Sequence, residues 1–286
     1  MSGSNPFRIL VFVLLSQASA SQAQLSPPND AGVAMGHLHY QVRDVEANKA
    51  FWIALGGEAA VSGDATVVAF PDVLVRIDPG ETSGGTEGSV VNHVAFRVRS
   101  LADIEAAGFE VHHNEAFPGV SSVFTPEGER IELFDDELAT NLGFSVDDGE
   151  IGAVADRHNR AITVPIIAHH IHLYVPEGDV IEARDWYAGH FGGVVGKRWR
   201  YDAVDLPGIN LNFSGVPTPL AATEGRMLDH IGFEVENLEA FCASLQAQGL
   251  TLNQPYTELP SGIATASLTD PWGTYIELTE GLRASP

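Results

Sequence analysis

The chain has few cysteines and few lysines. A single cysteine, Cys242, stands among 286 residues, so no disulfide can form within the chain. Cys242 lies in the helical pattern LEAFCASLQAQG (238–249), which favours a small buried hydrophobe over a catalytic thiol. Stability is therefore expected to come from packing, with bound metal as the other available source.

The scarcity of lysine goes with a strong excess of acid. Lys49 and Lys197 are the only lysines, and 15 Lys and Arg residues face 38 Asp and Glu residues, for a formal net charge of −23. A surface of this sign repels phosphate backbones and anionic membranes. The composition predicts that the protein has no nucleic-acid partner.

Long apolar runs are also missing. The run ILVFVLL (9–15) is shorter than the ~20 residues that a membrane span needs. It follows Arg8 and precedes SQASASQA (16–23), which is the layout of a secretory signal peptide with cleavage after Ala20 or Ala23. A buried or disordered N-terminus is the alternative. The sequence predicts a signal peptide over 1–23, a leader over 24–33, and a periplasmic or secreted protein without a membrane partner after cleavage.

What the sequence does contain is a fourfold repeat. The stretches GHLHYQV (36–42), NHVAFRV (92–98), HHIHLYV (169–175) and DHIGFEV (229–235) share one register. In each, a histidine stands five residues before a valine, and apolar residues alternate between them. This period of two predicts a half-buried strand whose other face carries the histidine.

Each of these strands is followed by a helical pattern that ends at glycine and then by short strand-like runs. The chain therefore reads β-α-β-β-β four times, an α+β fold of four βαβββ modules. Only the even units end in Ile-Glu-Leu, in TPEGERIELF (125–134) and DPWGTYIELT (270–279). Because units 1 and 2 resemble units 3 and 4, we expect one domain over 34–135, a linker over 136–165 and a second domain over 166–284.

Four such units, a histidine at the start of each first strand and the motif DPWGTYIEL resemble the vicinal oxygen chelate superfamily, also called the glyoxalase, bleomycin-resistance and dioxygenase superfamily. The resemblance covers about residues 34–282. It implies two glyoxalase-like domains, each a sheet cup around a divalent metal that acts on a small substrate with vicinal oxygens. It leaves the protein free to be a monomer or a homodimer.

The resemblance also implies ligands. The two sets predicted from the two halves are His170, His230 and Glu277, and His37, His93 and Glu132. Two histidines and one carboxylate suit Fe, Mn, Zn, Ni or Co and leave coordination positions open.

The chain departs from known branches of this superfamily. The odd units place Arg76 and Asn210 where glyoxalase I has a further ligand, which speaks against lactoylglutathione lyase activity. The stretch GIATASL (262–268) lacks the histidine and tyrosine of extradiol dioxygenases, which speaks against catechol cleavage. A metal-free ligand-sequestering protein, like the bleomycin-resistance proteins, and a fosfomycin-resistance-like transferase remain as alternatives.

Acid–base chemistry has three candidates. His39 and His172 lie two residues after a predicted ligand on the same strand face, where a neutral imidazole can move a proton. A hydrogen bond to a ligand is the competing interpretation for both. Tyr174 faces the same side by alternation. The basic cluster GKRWRYD (196–202) is either an anion-binding element or a solvated hairpin.

Overall fold

The computed structural model describes residues 24–62, 65–138, 143–146, 161–217 and 220–284. The predicted signal peptide over 1–23 and most of the predicted linker lie outside these residues. Within the described residues, no helix has the length and apolarity required to cross a membrane.

The chain forms the four βαβββ units that the sequence predicts. Unit 1 contains β1 (Val33–Val42), α1 (Val45–Ala54), β2 (Glu58–Ser62), β3 (Ala65–Phe70) and β4 (Val73–Pro79). Unit 2 contains β5 (Val91–Val98), α2 (Leu101–Ala106), β6 (His112–His113), β7 (Val120–Phe124) and β8 (Arg130–Asp135). A short strand, β9 (Phe144–Val146), lies in the predicted linker. Unit 3 contains β10 (Ile166–Pro176), α3 (Val180–Phe191), β11 (Val194–Arg198), β12 (Tyr201–Leu206) and β13 (Ile209–Val216). Unit 4 contains β14 (Leu228–Val235), α4 (Leu238–Ala247), β15 (Leu252–Glu258), β16 (Ala264–Thr269) and β17 (Tyr275–Glu280), and a 3₁₀ turn (Leu282–Ala284) follows it.

Local signals set the ends of the helices. Asp44 and Asn237 cap α1 and α4, because their side chains accept hydrogen bonds from the N–H groups of Ala47 and Ala240. Helix α3 ends at Gly192, whose φ of 69° lies in the left-handed region where a glycine costs least.

The units pair differently from the sequence-based expectation. One sheet has eight strands in the order β15-β16-β17-β14-β1-β4-β3-β2, and the other has nine in the order β6-β7-β8-β5-β10-β13-β12-β11-β9. The first strands form the joins, β1 antiparallel to β14 and β5 antiparallel to β10. Unit 1 therefore shares a sheet with unit 4, and unit 2 with unit 3.

The expectation of one sheet cup from 34–135 and another from 166–284 is thus wrong. Similarity between units shows that a duplication took place, but a duplicated strand can pair with any other copy of itself. As ranges along the chain, the predicted domain boundaries stay predictions.

One apolar core joins the two sheets. Trp52 on α1 is fully buried and contacts the rings of Tyr40 and Phe70 in the first sheet and of Phe96 in the second. Cys242 is buried in α4, and burial raises the pKa of its thiol, which agrees with the interpretation as a packed hydrophobe.

Candidate metal centres

The first sheet brings four donor side chains together, and we call His37, His39, His230 and Glu277 the first centre. His39 stands opposite His230 across the β1–β14 pair, and His37 stands opposite Gly232. Glu277 on β17 pairs with the same Gly232 from the other side. Because alternate residues share a face, all four side chains project to one side of the sheet.

In the first centre, each donor atom lies 3.0 to 3.4 Å from at least one other donor atom. His37 Nε2 and His230 Nε2 lie 3.0 Å and 3.4 Å from Glu277 Oε2. His39 Nδ1 lies 3.0 Å from His230 Nε2. All three histidines are buried, with 4 to 8 % of their surface exposed.

Carboxylates dominate the surroundings of the first centre. His39 Nε2 lies 3.1 Å from Asp78, and His230 Nδ1 lies 2.6 Å from Asp229. The contact with His39 helps to lower the pKa of Asp78 to about 2. Burial would lower the pKa of His230, but its bonds to Asp229 and Glu277 raise it. Burial would likewise raise the pKa of Glu277, but the two histidines that it contacts lower it.

The second sheet repeats this arrangement, and we call His93, His170, His172 and Glu132 the second centre. His93 Nε2 lies 3.2 Å from His170 Nε2 and 3.2 Å from Glu132 Oε2, and His170 Nε2 lies 3.6 Å from the same oxygen. His172 stands opposite His93 across the β5–β10 pair. Its Nε2 lies 2.8 Å from the hydroxyl oxygen of Ser214.

Burial governs the protonation of the second centre. It holds the pKa values of His170 and His172 well below the ordinary value of histidine. Burial would raise the pKa of Glu132, but the neighbouring His93 and Arg130 lower it. The two imidazoles are therefore neutral near pH 7, which is the form that ligates metals.

All six predicted ligands lie in these centres, but the predicted grouping is wrong. His230 and Glu277 meet His37 rather than His170, and His93 and Glu132 meet His170 rather than His37. The reason is that β1 pairs with β14 and β5 with β10, so one histidine changes partner in each set.

The three predicted catalytic residues also lie at the centres. His39 and His172 each join two predicted ligands in a group whose nitrogens lie within 4.8 Å of one another. Tyr174 lines a cavity beside the second centre, and its ring lies 5.1 Å from that of His172. Their part in catalysis stays a prediction.

Sequence reasoning missed the partners of these two histidines. Asp78 holds His39 from β4, and Ser214 holds His172 from β13. The two partners occupy matching register positions, because β1 pairs with β4 in the same parallel manner as β10 pairs with β13. The period of two along β4 and β13 could have indicated them, because Asp78 and Ser214 lie on the same strand faces as Arg76 and Asn212, two residues further along.

The strand pairing corrects one position of the comparison with glyoxalase I. Glu132 pairs with Ala95 and Glu277 pairs with Gly232, and each of these partners stands two residues after the predicted ligand histidine of its unit. At that register position the odd units carry Arg76, as predicted, and Asn212 rather than the predicted Asn210. The two asparagines share a face of β13, so alternation alone could not distinguish them.

A cavity of about 200 Å³ opens beside the second centre. Side chains of units 2 and 3 line it, among them Phe117, Arg130, Arg198, Trp199, Tyr201 and Asn212. Arg130 contacts both Glu132 and His93, so it holds two of the predicted ligands in place.

The donor sets fit a divalent metal. In the described part of the chain, Nδ1 of His37 is buried without a hydrogen-bond partner, and Nε2 of His37 and of His39 approach their carboxylates without the geometry of a hydrogen bond. Burying such nitrogens costs stability unless another group takes the lone pair. Two ligands ~2.1 Å from one ion lie roughly 3.0 to 3.4 Å apart. The closest donor separations in both centres, 3.0 to 3.6 Å, are of this size.

Comparisons with known proteins agree with this architecture. Residues 167–278 match the sequence profile of the Glyoxalase/Bleomycin resistance protein/Dioxygenase superfamily. No curated protein sequence matches the chain significantly.

Solved structures match over most of the chain. Glyoxalase I from Zea mays aligns with 15% identity over 88% of this chain and 94% of its own, with a TM-score of 0.59. A glutamate-to-glutamine variant of the same enzyme aligns with 15% identity over 88% of this chain and 95% of its own, with a TM-score of 0.61. A Bacillus subtilis protein whose dioxygenase assignment is provisional aligns with 15% identity over 90% of this chain and 86% of its own, with a TM-score of 0.59.

At such identities these structures establish the fold and not the activity. The resemblance to the vicinal oxygen chelate superfamily is confirmed: residues 167–278 match its profile, and 88% of the chain aligns with the fold of Zea mays glyoxalase I.

Proposed function

We propose that the chain is a divalent-metal-dependent enzyme of the vicinal oxygen chelate superfamily that acts on a small substrate with vicinal oxygens. One observation carries the proposal. In each sheet, the Nε2 atoms of two histidines lie 3.0 to 3.6 Å from the same oxygen of one glutamate. The three side chains come from three different strands. A protein that only packs or sequesters an apolar ligand has no need to bury three imidazoles at each of two places.

The first task of the chain's own residues in this proposal is to hold the metal. His37, His230 and Glu277, and likewise His93, His170 and Glu132, hold the ion. When bound, the ion serves as a Lewis acid for substrate oxygens.

The second histidines complete the arrangement. Asp78 and Ser214 contact Nε2 of His39 and His172, and Nδ1 of His39 lies 3.0 Å from His230 Nε2. Because each ring lies within 4.8 Å of two ligand nitrogens, it can serve as a fourth ligand or take a proton from a bound substrate.

The glyoxalase pattern of four ligands is not reproduced by the same strands. At the place of the further ligand, Arg76 is bound to Asp78 in unit 1, and the amide of Asn212 stands in unit 3. In these two units the second histidine of the first strand, His39 or His172, pairs with the residue at that place. Lyase, isomerase and dioxygenase chemistry all remain compatible with the centres, and the ligand-sequestering alternative is an outcome of the test below.

The test is the metal content of purified protein, measured by plasma mass spectrometry. We expect about two equivalents in the wild type, and loss of one equivalent in His230→Ala and in His93→Ala. The double variants are sharper. His37→Ala with His230→Ala should lose one equivalent, because both belong to the first centre, whereas His37→Ala with His93→Ala should lose both.

Each result has a defined meaning. If the pair His37→Ala and His230→Ala loses both equivalents, the assignment of ligands to centres is wrong. If wild-type protein binds no transition metal even after reconstitution, the enzyme proposal fails and ligand sequestration replaces it.

We also propose that residues 1–23 direct export and are removed. The support is the order of Arg8, the apolar run 9–15 and the small residues of SQASASQA. Intact mass of the protein from a periplasmic extract should correspond to a chain that begins at Ser21 or Gln24. Retention of the full-length chain in the cytosol would contradict the proposal.

A further inference from the structure

The two centres differ in the charges around them. Three carboxylates, Asp78, Asp229 and Glu277, and one guanidinium, Arg76, surround the first centre. These charges are of the sign that balances a bound dication.

The second centre has the opposite excess. Arg130 contacts Glu132, Arg198 lines the cavity, and Arg200 stacks on Tyr201, which also lines the cavity. The buried carboxylate of Asp205 accepts from Asn210, which accepts from Arg198. Three guanidiniums thus face two carboxylates in a protein whose net charge is −23.

The second centre also has an aromatic rim. The hairpin between β11 and β12 carries Trp199, which is 41 % exposed and whose ring lies 5.1 Å from that of Phe117 on the other unit. Arg200 stacks on Trp199 and Tyr201, with its guanidinium carbon 4.3 Å and 5.2 Å from their ring centres. Trp199 has a φ of 51° because it lies in the two-residue turn of this hairpin, where glycine is the least strained residue.

At the corresponding hairpin and loop of units 1 and 4, the sequence has small residues in place of these aromatic ones. The pair Ser62–Ala65 closes the β2–β3 hairpin of unit 1, as Arg198–Tyr201 closes the β11–β12 hairpin of unit 3. The sequence between these ends is SGDA (62–65) in unit 1 and RWRY (198–201) in unit 3. Ser122 pairs with Glu132, and Ser267 pairs with Glu277 in the same way. The residue five positions before the serine is Phe117 in unit 2 and Gly262 in unit 4. The first centre has one ring of its own, Tyr275, which lies 5.4 Å from the ring of His230 and stands two residues before Glu277, where unit 2 has Arg130. The pair of rim aromatics Phe117 and Trp199, with Arg200 beside them, occurs at the second centre.

We propose that the second centre is the substrate site of this protein, and that its substrate is a small planar carboxylate bearing vicinal oxygens. The inference rests on the proposed function, since the vicinal oxygens would bind the metal. The flat frame lies against Trp199 and Tyr201, and the carboxylate faces Arg198. A cavity of about 150 Å³ holds benzene, so the observed cavity of about 200 Å³ suits one substituted ring or a conjugated acid of that size.

The experiment uses three probes on metal-reconstituted protein, with affinity and stoichiometry measured by titration calorimetry. 3,4-Dihydroxybenzoate is planar and anionic. 3,4-Dihydroxybenzamide has the same shape without the charge, and 3,4-dihydroxycyclohexanecarboxylate has the charge without the flat ring. We expect the anionic planar probe to bind once per chain, at least about tenfold more tightly than the amide, because hydrogen bonds to charged groups are the stronger ones.

Variants locate the site. Trp199→Gly should weaken binding of the planar anion by about fivefold, the scale of an aromatic contact, and leave the cyclohexane probe unaffected. Glycine also relieves the positive φ, so this variant should fold. Arg198→Gln should remove the preference for the anion over the amide. Leu259, an exposed apolar residue in the loop after β15, provides the control Leu259→Ala, which should change neither the affinity for the planar anion nor its preference over the amide.

Metal analysis of the same samples separates this inference from the proposed function. His37→Ala should lose one metal equivalent and keep probe binding, whereas His93→Ala should lose both one equivalent and the probe. Two bound metals with equal affinity for the anion and the amide, or two probes per chain, would overturn the inference and leave the metal enzyme standing. Absence of metal from the wild type would overturn the proposed function itself.

Discussion

Gly232 shows how much a single residue controls at the first centre. It lies between His37 and Glu277 in the sheet, and a Cβ built on it would overlap the ring of His37. In the second sheet, Ala95 stands opposite His170 at the matching position, so that centre accommodates a methyl group. The absence of a side chain at Gly232 is therefore a requirement of the first centre alone.

We predict that Gly232→Ala loses about one metal equivalent, because the methyl group displaces the ring of His37 from its position beside Glu277. Metal analysis measures the loss, and circular dichroism shows whether the fold is retained. Ala95→Gly is the matched control and should keep both equivalents. Two equivalents in Gly232→Ala would mean that His37 is not a ligand.

The alternation of residues was sufficient to predict most of the site. A period of two places His37 with His39, and His170 with His172, on one strand face, and all of them reach the centres. It could not predict which strands are neighbours, because alternation contains no information about pairing. The partners Asp78 and Ser214 were missed for the same reason, since they act across the sheet.

At the scale of elements, the helices were the most predictable parts. The helical pattern predicted after each histidine strand corresponds to a helix, and the first three are Val45–Ala54, Leu101–Ala106 and Val180–Phe191. Capping residues and terminal glycines are local signals, so they can be read from the sequence. The three-residue strand β9 was not predicted, because its place in the sheet depends on the distant β11.

The N-cap of α4 provides a test of such a local signal. Asn237 has a φ of 54°, and its side chain accepts from the N–H of Ala240. Asn237→Ala removes the cap and puts alanine in the left-handed region, which asparagine tolerates better, so we expect the free energy of unfolding to fall by about 1–2 kcal/mol. Asn237→Gly loses the cap without the steric strain and should cost less.

Urea unfolding followed by circular dichroism measures both variants of Asn237. Gln246→Ala on the exposed face of the same helix is the control and should stay within about 0.5 kcal/mol of the wild type. If Asn237→Ala is as stable as the wild type, the cap contributes nothing to the folded state.

At the scale of the whole molecule, the shared core predicts that the two sheets unfold together. Trp52→Ala removes a fully buried ring between them, so the free energy of unfolding should fall by about 3–5 kcal/mol in one cooperative transition. Its neighbour Ile53 is 40 % exposed, and Ile53→Ala is the control with a change below about 1 kcal/mol. Two separate transitions, with one of them unmoved by Trp52→Ala, would show that the sheets fold independently.

The crossed pairing of units has the largest consequence for the molecule. Each sheet takes one unit from 24–146 and one from 161–286, so neither segment alone contains both halves of a centre. We predict that the two segments, purified separately, bind no stoichiometric metal as monomers. Co-expressed with a tag on one of them, they should copurify in equal amounts with about two metal equivalents, as measured by plasma mass spectrometry.

The same complex allows the pairing to be checked residue by residue. His37→Ala in the first segment and His230→Ala in the second should each remove one equivalent, and both together should still remove only one, because they share the first centre. A monomeric segment 161–286 that binds one equivalent by itself would instead mean that units 3 and 4 can close a cup together. In that case β10 and β14 would be able to pair directly, and the order of strands would depend on which copies are present rather than on the sequence of each strand.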